Sequence, residues 1–372
     1  MEKSTKVVRS RLTAAKSGDA FAAPPVFAAP FHLQGDPSTS AYTYGRFHNP
    51  AWTALEGALS SLESSDSMDA KALTFPSGMA AIMSVLSVAL RPGGVIVLPA
   101  NGYYTVRALI EKFFEPMGVG KRFISKQSEP EEETLRGATL LWLETPTNPG
   151  LDVWDLRAWS EAAHRAGVLV GVDNTTATPL GQNVLSLGAD YSAVSGTKAL
   201  TGHSDLVLGH VAVTREDLWR QLLEWRTLTG SILGPMEAWL ALRSLPSLPL
   251  RLEKSSANAL AIASFLQGRD EVLQVMYPGL PSHPGHALAS TQMSYFGPVV
   301  SFVLKDRESA ENFLARATLV TDATSFGGIT TSAERRGRWE GDAVAPGLIR
   351  MSAGCEAITD ILEDLSVALE SV

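Results

Sequence analysis

The sequence predicts an α/β protein in which a mainly parallel sheet forms a large domain and a smaller α+β unit follows it. Two observations carry this. Between residues 73 and 198, short apolar runs alternate with longer segments of helical period, the pattern of parallel strands joined by helical crossovers. Beyond about residue 250 the strands become fewer and the helices flank them, an α+β pattern. The 372 residues suffice for a large core and two domains. We expect an arm over 1–50, a large domain over 51–240 and a C-terminal domain over 241–372, with the boundary between 235 and 250.

Taken in order, the arm is interrupted by Pro24-Pro25, Pro30 and the Gly-Asp-Pro-Ser-Thr-Ser stretch at 35–40. Asn49-Pro50 opens a helix whose Trp52, Leu55, Leu59 and Leu62 recur at helical spacing, with Trp52 read as core. Residues 73–76 form a strand leading into Ser77-Gly78-Met79-Ala80-Ala81 and a buried helix to residue 90. Buried strands follow at 95–98 and 139–143, separated by an acidic, solvated stretch at 125–136. A helix over 156–166, stopped by Gly167, precedes strands at 168–172 and 191–194. Residues 206–213 return as a strand, with an antiparallel direction allowed, and helices follow at 215–228, 236–245 and 252–266. The C-terminal part has strands near 271–277, 299–304 and 347–353, with helices near 308–316 and 356–370.

Composition narrows the function classes. A 45% apolar and 19% charged chain is globular. Its net charge of −8 gives no reason to expect nucleic acid or an anionic membrane as partner. The single cysteine, Cys355, offers neither an internal disulfide nor a metal cluster and reads as a packing residue. The polar N-terminus lacks the apolar core of a signal peptide, and no run approaches the ~18 apolar residues of a membrane span. A cytoplasmic enzyme without a metal is the expectation.

The chemistry concentrates between 168 and 205. One apolar strand ends in Asp173, and the strand over 191–194 ends in Ser195-Gly196-Thr197-Lys198. Open α/β sheets bind ligands outside the carboxyl ends of their strands. A lysine there, facing an acid from a neighbouring strand end, suits a Schiff-base amine. Pyridoxal phosphate needs such an amine, a carboxylate at its ring nitrogen, donors for its phosphate and a ring stacked on its face. Lys198 and Asp173 fit the first two. Gly78 at a helix start lets backbone N–H groups approach a phosphate. Asn148 lies in a Pro-bracketed turn. Arg350 sits in an apolar strand, where either an internal ion pair or an amino-acid carboxylate would satisfy it.

These motifs resemble those of the Cys/Met-metabolism family of pyridoxal-phosphate enzymes, which includes cystathionine γ-lyase, γ-synthase and β-lyase and methionine γ-lyase. The matching stretches are Tyr44-Gly45-Arg46, Ser77-Gly78-Met79, Glu144-Thr145-Pro146-Thr147-Asn148-Pro149, Val172-Asp173-Asn174-Thr175, Ser195-Gly196-Thr197-Lys198 with Gly202-His203-Ser204-Asp205, and Leu348-Ile349-Arg350-Met351-Ser352. The resemblance implies pyridoxal-phosphate fold type I, the aspartate-aminotransferase-like fold. It implies cofactor contacts from Ser77, Gly78, Met79, Asn148, Asp173, Thr175, Ser195, Thr197 and Lys198. Tyr44 and Arg46 would reach the cofactor phosphate of a neighbouring subunit, in a homotetramer built as a dimer of dimers. Ser325 and Arg350 would seat the substrate carboxylate. A tyrosine of the loop after strand 95–98 would stack on the cofactor and assist catalysis; Tyr103 is favoured over Tyr104. The implied activity is a C–S lyase of sulfur amino-acid metabolism, most like cystathionine γ-lyase, with γ-synthase, methionine γ-lyase and β-lyase as alternatives. A cofactor-binding protein without turnover would be a different class.

The chain departs from the family after Ser325-Phe326-Gly327-Gly328, where many relatives have a glutamate and this chain has Thr330. That puts β- versus γ-chemistry in doubt. Glu334, Arg335, Arg336 and Arg338 read as a solvated charge run rather than as a binding patch.

Overall fold

The computed structural model describes residues 1–12, 16–18, 20–125 and 128–372. Seven strands form the first sheet: β1 (Lys71–Phe75), β2 (Val95–Pro99), β3 (Gly120–Ile124), β4 (Leu140–Glu144), β5 (Leu169–Asp173), β6 (Tyr191–Val194) and β7 (Gly209–Val213). Their order is β1-β7-β6-β5-β4-β2-β3. The pairs from β6 to β3 are parallel, and β7 runs antiparallel to both β6 and β1. Strands such as Leu-Leu-Trp-Leu-Glu in β4 are buried along their whole length, as a sheet covered on both faces requires. One face packs Leu55, Leu59 and Trp159, and the other packs Ile82, Val85 and Leu222.

Local chemistry sets the helix starts. The Asn49 side chain accepts the Ala51 N–H at 2.8 Å, with Pro50 at the first helical position, and opens the helix Pro50–Glu63. Trp52 is core, as expected, at 2% exposure. The 1–50 arm is not wholly irregular: Lys3–Val8 is a short helix with Val7 buried against the large-domain core. Its residues 13–15 and 19 lie outside the described residues, as do 126 and 127 of the expected acidic stretch.

The C-terminal part holds a second sheet of β8 (Val272–Met276), β9 (Val299–Leu304), β10 (Thr321–Asp322), β11 (Ser332–Arg335) and β12 (Leu348–Ser352), in the order β10-β11-β12-β9-β8. Phe302, Phe313, Ile349 and Ile361 centre its core. Three strands differ from the sequence expectation. β3 is an edge strand whose residues are mostly exposed or half-buried, too polar to read as a strand, and β10 is only the two exposed residues Thr321–Asp322. β11 is Ser-Ala-Glu-Arg, in the stretch expected to be solvated.

β7 passes tightly behind the turn that follows β1. A Cβ on Gly209 would lie 2.8 Å from the Ser77 carbonyl carbon and 2.9 Å from the Gly78 Cα. Both are backbone atoms, so neither can rotate away. Gly209→Ala is therefore expected to destabilise the protein by roughly 1–3 kcal/mol and to shift the Ser77–Gly78 turn. Thermal denaturation of the variant checks this; an unchanged melting temperature would contradict it.

Candidate active site

Five strand ends of the first sheet converge on one cavity. β4 ends in Glu144 and β5 in Asp173, and the two residues are paired in register. β6 leads into Ser195 and Lys198, β1 into Ser77, and β2 into the loop that carries Tyr103 and Tyr104. The second sheet contributes Ser325, Phe326 and Arg350 from the opposite side. Together they enclose about 310 Å³. Of the residues expected at the site, Ser77, Gly78, Met79, Tyr103, Asn148, Asp173, Thr175, Ser195, Thr197, Lys198, Ser325 and Arg350 all line it.

Lys198 donates from Nζ to Ser325 Oγ at 2.6 Å, with Nζ 5.2 Å from the Phe326 ring centroid. Burial, aided by repulsion from Arg350, pushes its amine down to about 8, although Glu334 and Asp173 oppose the shift. Ser325 holds a φ of 80°, a left-handed conformation uncommon outside glycine. It is fixed from both ends: its Oγ accepts from Lys198 and its carbonyl from Arg350. Gly327 lets this loop lie on the lysine segment, since a Cβ there would come 2.8 Å from the Ala199 Cα.

Asp173 accepts the Thr175 N–H at 3.0 Å, and burial raises its carboxyl above the usual carboxylate range. Glu144 is buried beside it. Its Oε2 accepts the Tyr103 N–H at 2.5 Å and its Oε1 the Asn148 N–H at 2.7 Å. Burial first, then repulsion from Asp173, pushes the Glu144 carboxyl up. Sequence reading took Glu144 only as the end of a strand and the first residue of a motif. The signal for more was its place on the strand beside Asp173.

At the other end, Ser77 Oγ caps the helix Gly78–Ala89 by accepting the Ala80 N–H at 3.0 Å. The Gly78 and Met79 amides, first in that helix and facing the cavity, have no acceptor among the described residues. Thr175 Oγ1 accepts the Ser195 N–H at 2.8 Å, and Thr197 Oγ1 bonds both the carbonyl and the N–H of Leu208. The donor set fits pyridoxal phosphate: free helix-start amides and hydroxyls for a phosphate, a buried carboxylate for a ring nitrogen, and an amine poised to be neutral.

Arg350 makes the internal ion pair that its strand allowed. Its Nη1 donates to Asn148 Oδ1 at 2.8 Å and its Nη2 to the Ser325 carbonyl at 2.9 Å. Nη2 also pairs with Glu334, which lies opposite it in the β11–β12 register. Burial lowers its guanidinium to about 10, and Glu334 counters this. The charge run is thereby corrected. Glu334 is 0% exposed, Arg335 7% and Arg336 4%. A buried charge survives only when paired, and here each cation finds a carboxylate: Arg336 holds Glu334 and Asp342, and Arg335 reaches Glu311. Only Arg338 stays partly exposed. Burial opposes ionisation of Glu334, but Arg350, Trp339 and Arg336 together hold its carboxyl below the ordinary value.

Two expected residues lie away from the cavity. Tyr44 is 45% exposed, and Arg46 donates from Nη1 to the Thr227 carbonyl at 2.7 Å, with its guanidinium 4.7 Å from the Phe47 ring centroid. Thr330 faces a second, adjoining cavity of about 860 Å³ that shares Thr197, Ser325 and Phe326 with the first. Tyr103 and Tyr104 both line the first cavity, with ring centroids 5.3 Å apart.

Sequence and structure comparisons both point to one family. The sequence profile described as "Cys/Met metabolism PLP-dependent enzyme" matches residues 4–370. A Streptomyces coelicolor protein provisionally named cystathionine gamma-lyase is 49% identical over 366 residues, 98% of this chain and 93% of that protein. The cystathionine gamma-lyase of Bacillus subtilis is 36% identical over the full length of both chains. Among solved structures, a cystathionine gamma synthase from Xanthomonas oryzae pv. oryzae, in complex with aminoacrylate and cysteine, superposes with a TM-score of 0.94. It is 32% identical and covers 100% of this chain and 98% of that one. The architecture is pyridoxal-phosphate fold type I.

The lowered Lys198 amine has a measurable consequence. Pyridoxal phosphate reacts only with a neutral amine. A group whose value falls to about 8 is mostly neutral above that pH. Cofactor uptake by the cofactor-free protein should therefore rise with pH, reach about half its plateau near pH 8 and level off above it. An ordinary lysine, at about 10.4, would give a rate still climbing at pH 10. The growth of visible absorbance after mixing measures this; a climb through pH 10 would contradict the buried, neutral-leaning amine.

Proposed function

The chain belongs to the Cys/Met-metabolism family of pyridoxal-phosphate-dependent enzymes, and from that premise we propose that it is a C–S lyase acting on cystathionine by γ-elimination, giving cysteine, 2-oxobutanoate and ammonia. The observation that carries the reading is the joint presence in one cavity of Lys198, Asp173 and Arg350. Lys198 would hold the cofactor aldehyde, and its free amine would move the substrate's α-proton and then a β-proton. Asp173 keeps the ring nitrogen protonated. Bound cofactor supplies the electron sink that acidifies the substrate's α-hydrogen. Asn148 spends its carbonyl on Arg350, so its amide N–H remains to donate to the cofactor's phenolic oxygen. Tyr103 stacks on the ring and assists the leaving thiolate. Arg350, with Ser325, seats the substrate carboxylate; three of the five guanidinium N–H groups serve protein partners, and two remain.

The same reading divides the chain into an arm (1–50), a cofactor domain (51–240) and a substrate-side domain (241–372). Two separate cores support a two-domain division, but the passage between them lies within the helix Leu248–Gln267 rather than at 240: Leu242, Leu245, Leu248 and Leu252 belong to the large-domain core, and Ile262 and Leu266 to the second.

Relatives carry both lyase and synthase names, so the activity is tested by a substrate panel. Purified holoenzyme is offered cystathionine, methionine, and an activated homoserine with cysteine. Release of 2-oxobutanoate with cysteine from cystathionine is the expected leading reaction. Pyruvate with homocysteine would assign β-elimination instead, and cystathionine formation from the homoserine would assign γ-replacement.

The cofactor site is proposed to be shared between subunits of a homotetramer built from two dimers. Ser77, Ser195, Thr197 and the helix-start amides are neutral donors, whereas a phosphate brings about two negative charges at neutral pH. Arg46 keeps most of its N–H groups beyond the single bond to Thr227 and lies outside its own cavity. A neighbour's Arg46 would supply the counter-charge. Mixing inactive Lys198→Ala with inactive Arg46→Ala subunits is expected to restore up to about a quarter of the activity, because one hybrid site carries neither lesion. No recovery, with subunit exchange demonstrated, would place the arm on its own chain.

A further inference from the structure

Arg336 lines the cavity but has no part in holding the cofactor or the substrate carboxylate. It lines the cavity together with Trp339, Tyr104 and Ile82, none of which is assigned to the cofactor or to the substrate carboxylate. Its guanidinium is already committed. Nε donates to Asp342 Oδ2 at 2.7 Å, Nη2 reaches the same oxygen, and Nη1 donates to Glu334 Oε1 at 2.7 Å. Asp342, like Arg336, has a side chain only 5% exposed. Trp339 is fixed by its Nε1–H, which donates to Glu334 Oε2 at 2.9 Å. The turn beyond it packs on Tyr104, and Arg107 holds that turn through the Gly341 carbonyl at 2.9 Å.

The charges balance before substrate arrives. Arg336 and Arg350 face Glu334 and Asp342, two cations against two anions. Arg338 is shared with Asp322 at the rim. Arg107 spends its N–H groups on the carbonyls of Ala100, Gly102 and Gly341 and does not line the cavity. Lys198 is bonded to Ser325 and, in the holoenzyme, is committed to the cofactor, while Asp173 and Glu144 supply no cation. A substrate carboxylate on Arg350 already tips the balance by one negative charge. A second anion at the far end of the substrate would meet no unpaired cation, in a place where charge is poorly screened.

We propose that Arg336 and Trp339, held in place by Glu334 and Asp342, form the wall that receives the substrate's side-chain end, and that full pairing of Arg336 makes this wall select an uncharged or zwitterionic end, such as a thioether amino acid, over an anionic one, such as a dicarboxylate half-ester or phosphate ester of homoserine. This rests on the C–S lyase reading and deepens it. Arg336 and Trp339 meet the substrate; Glu334 and Asp342 act through them as positioning residues.

The test uses two unreactive amino acids of matched length, L-norleucine and L-2-aminoadipate, titrated into holoenzyme by calorimetry and by the cofactor's absorbance. The native protein is expected to bind norleucine at least about tenfold more tightly. Asp342→Asn, which releases one side of Arg336, is expected to narrow that ratio about tenfold, chiefly by tightening 2-aminoadipate. Adding Arg336→Met to that variant is expected to remove the gain. Equal or tighter binding of 2-aminoadipate by the native protein overturns the proposal without any variant having to fold. A gain that persists in the double variant overturns the role of Arg336. Neither ligand has a leaving group, so the preference is read even if the substrate panel shows no thioether cleavage, which would count against the lyase reading alone.

Discussion

Arg350 is the side chain on which the two halves of the site depend. A guanidinium at 4% exposure is costly unless its N–H groups are met. Its partners come from three separate segments: Glu334 across the β11–β12 register, Asn148 beyond the end of β4, and the Ser325 carbonyl. Ser325 in turn receives Lys198. One buried cation thus clamps the second sheet against the edge of the first and fixes the loop on which the lysine rests. It also sets the lysine's chemistry, because its positive charge adds to burial in holding the amine near 8. Placement and tuning of Lys198 come from the same contact.

The other organising pair is Glu144 with Asp173. Adjacent parallel strands deliver the two carboxylates in register at the same edge. Burial disfavours ionisation of both, and repulsion from Asp173 adds to it at Glu144. Glu144 answers with two backbone N–H groups, and these belong to Tyr103 and Asn148. The carboxylate therefore ties the aromatic loop after β2 to the turn after β4. In the proposed reading the protonated ring nitrogen supplies Asp173 with its missing counter-charge, so cofactor and acid pair stabilise each other.

Much of the large domain was legible because its signals are local. β4 and β5 are continuous apolar runs, Asn49 caps a helix two residues away, and Lys198 follows its strand by four positions. Antiparallel β7 was legible as a strand, with its direction left open. β3 was not, because Gly-Lys-Arg-Phe-Ile is an edge strand with two charged residues and no continuous apolar face. Glu334 and Arg336 were misread for a different reason. Clustered charges are usually solvated, and what buries these is a partner 16 residues away for Glu334 and the packing of Asp342 for Arg336. No periodicity within the segment reports such pairings. The roles of Tyr44 and Arg46 were suggested by family motif alone, and their contacts within one chain are with Phe47 and Thr227.

This difference has a physical basis that bears on how the site divides its work. Cofactor contacts come from short loops at one sheet edge, where a strand end, a helix cap and a lysine are neighbours in sequence. Contacts on the substrate side come from buried charges that neutralise one another across strands, so each residue's charge state depends on distant residues. Arg336 illustrates the consequence. As a bare residue type it would suit an anionic ligand; bonded to Glu334 and Asp342 it is a neutral part of the wall. Thr330, where the family resemblance led to the expectation of a glutamate, faces the adjoining cavity rather than this one. Under the proposed reading, the departure that stands out in the linear sequence is therefore not the one that would face the substrate's far end. Glu334 sets the charge balance on this side, because its carboxylate links Arg350 to Arg336 and Trp339.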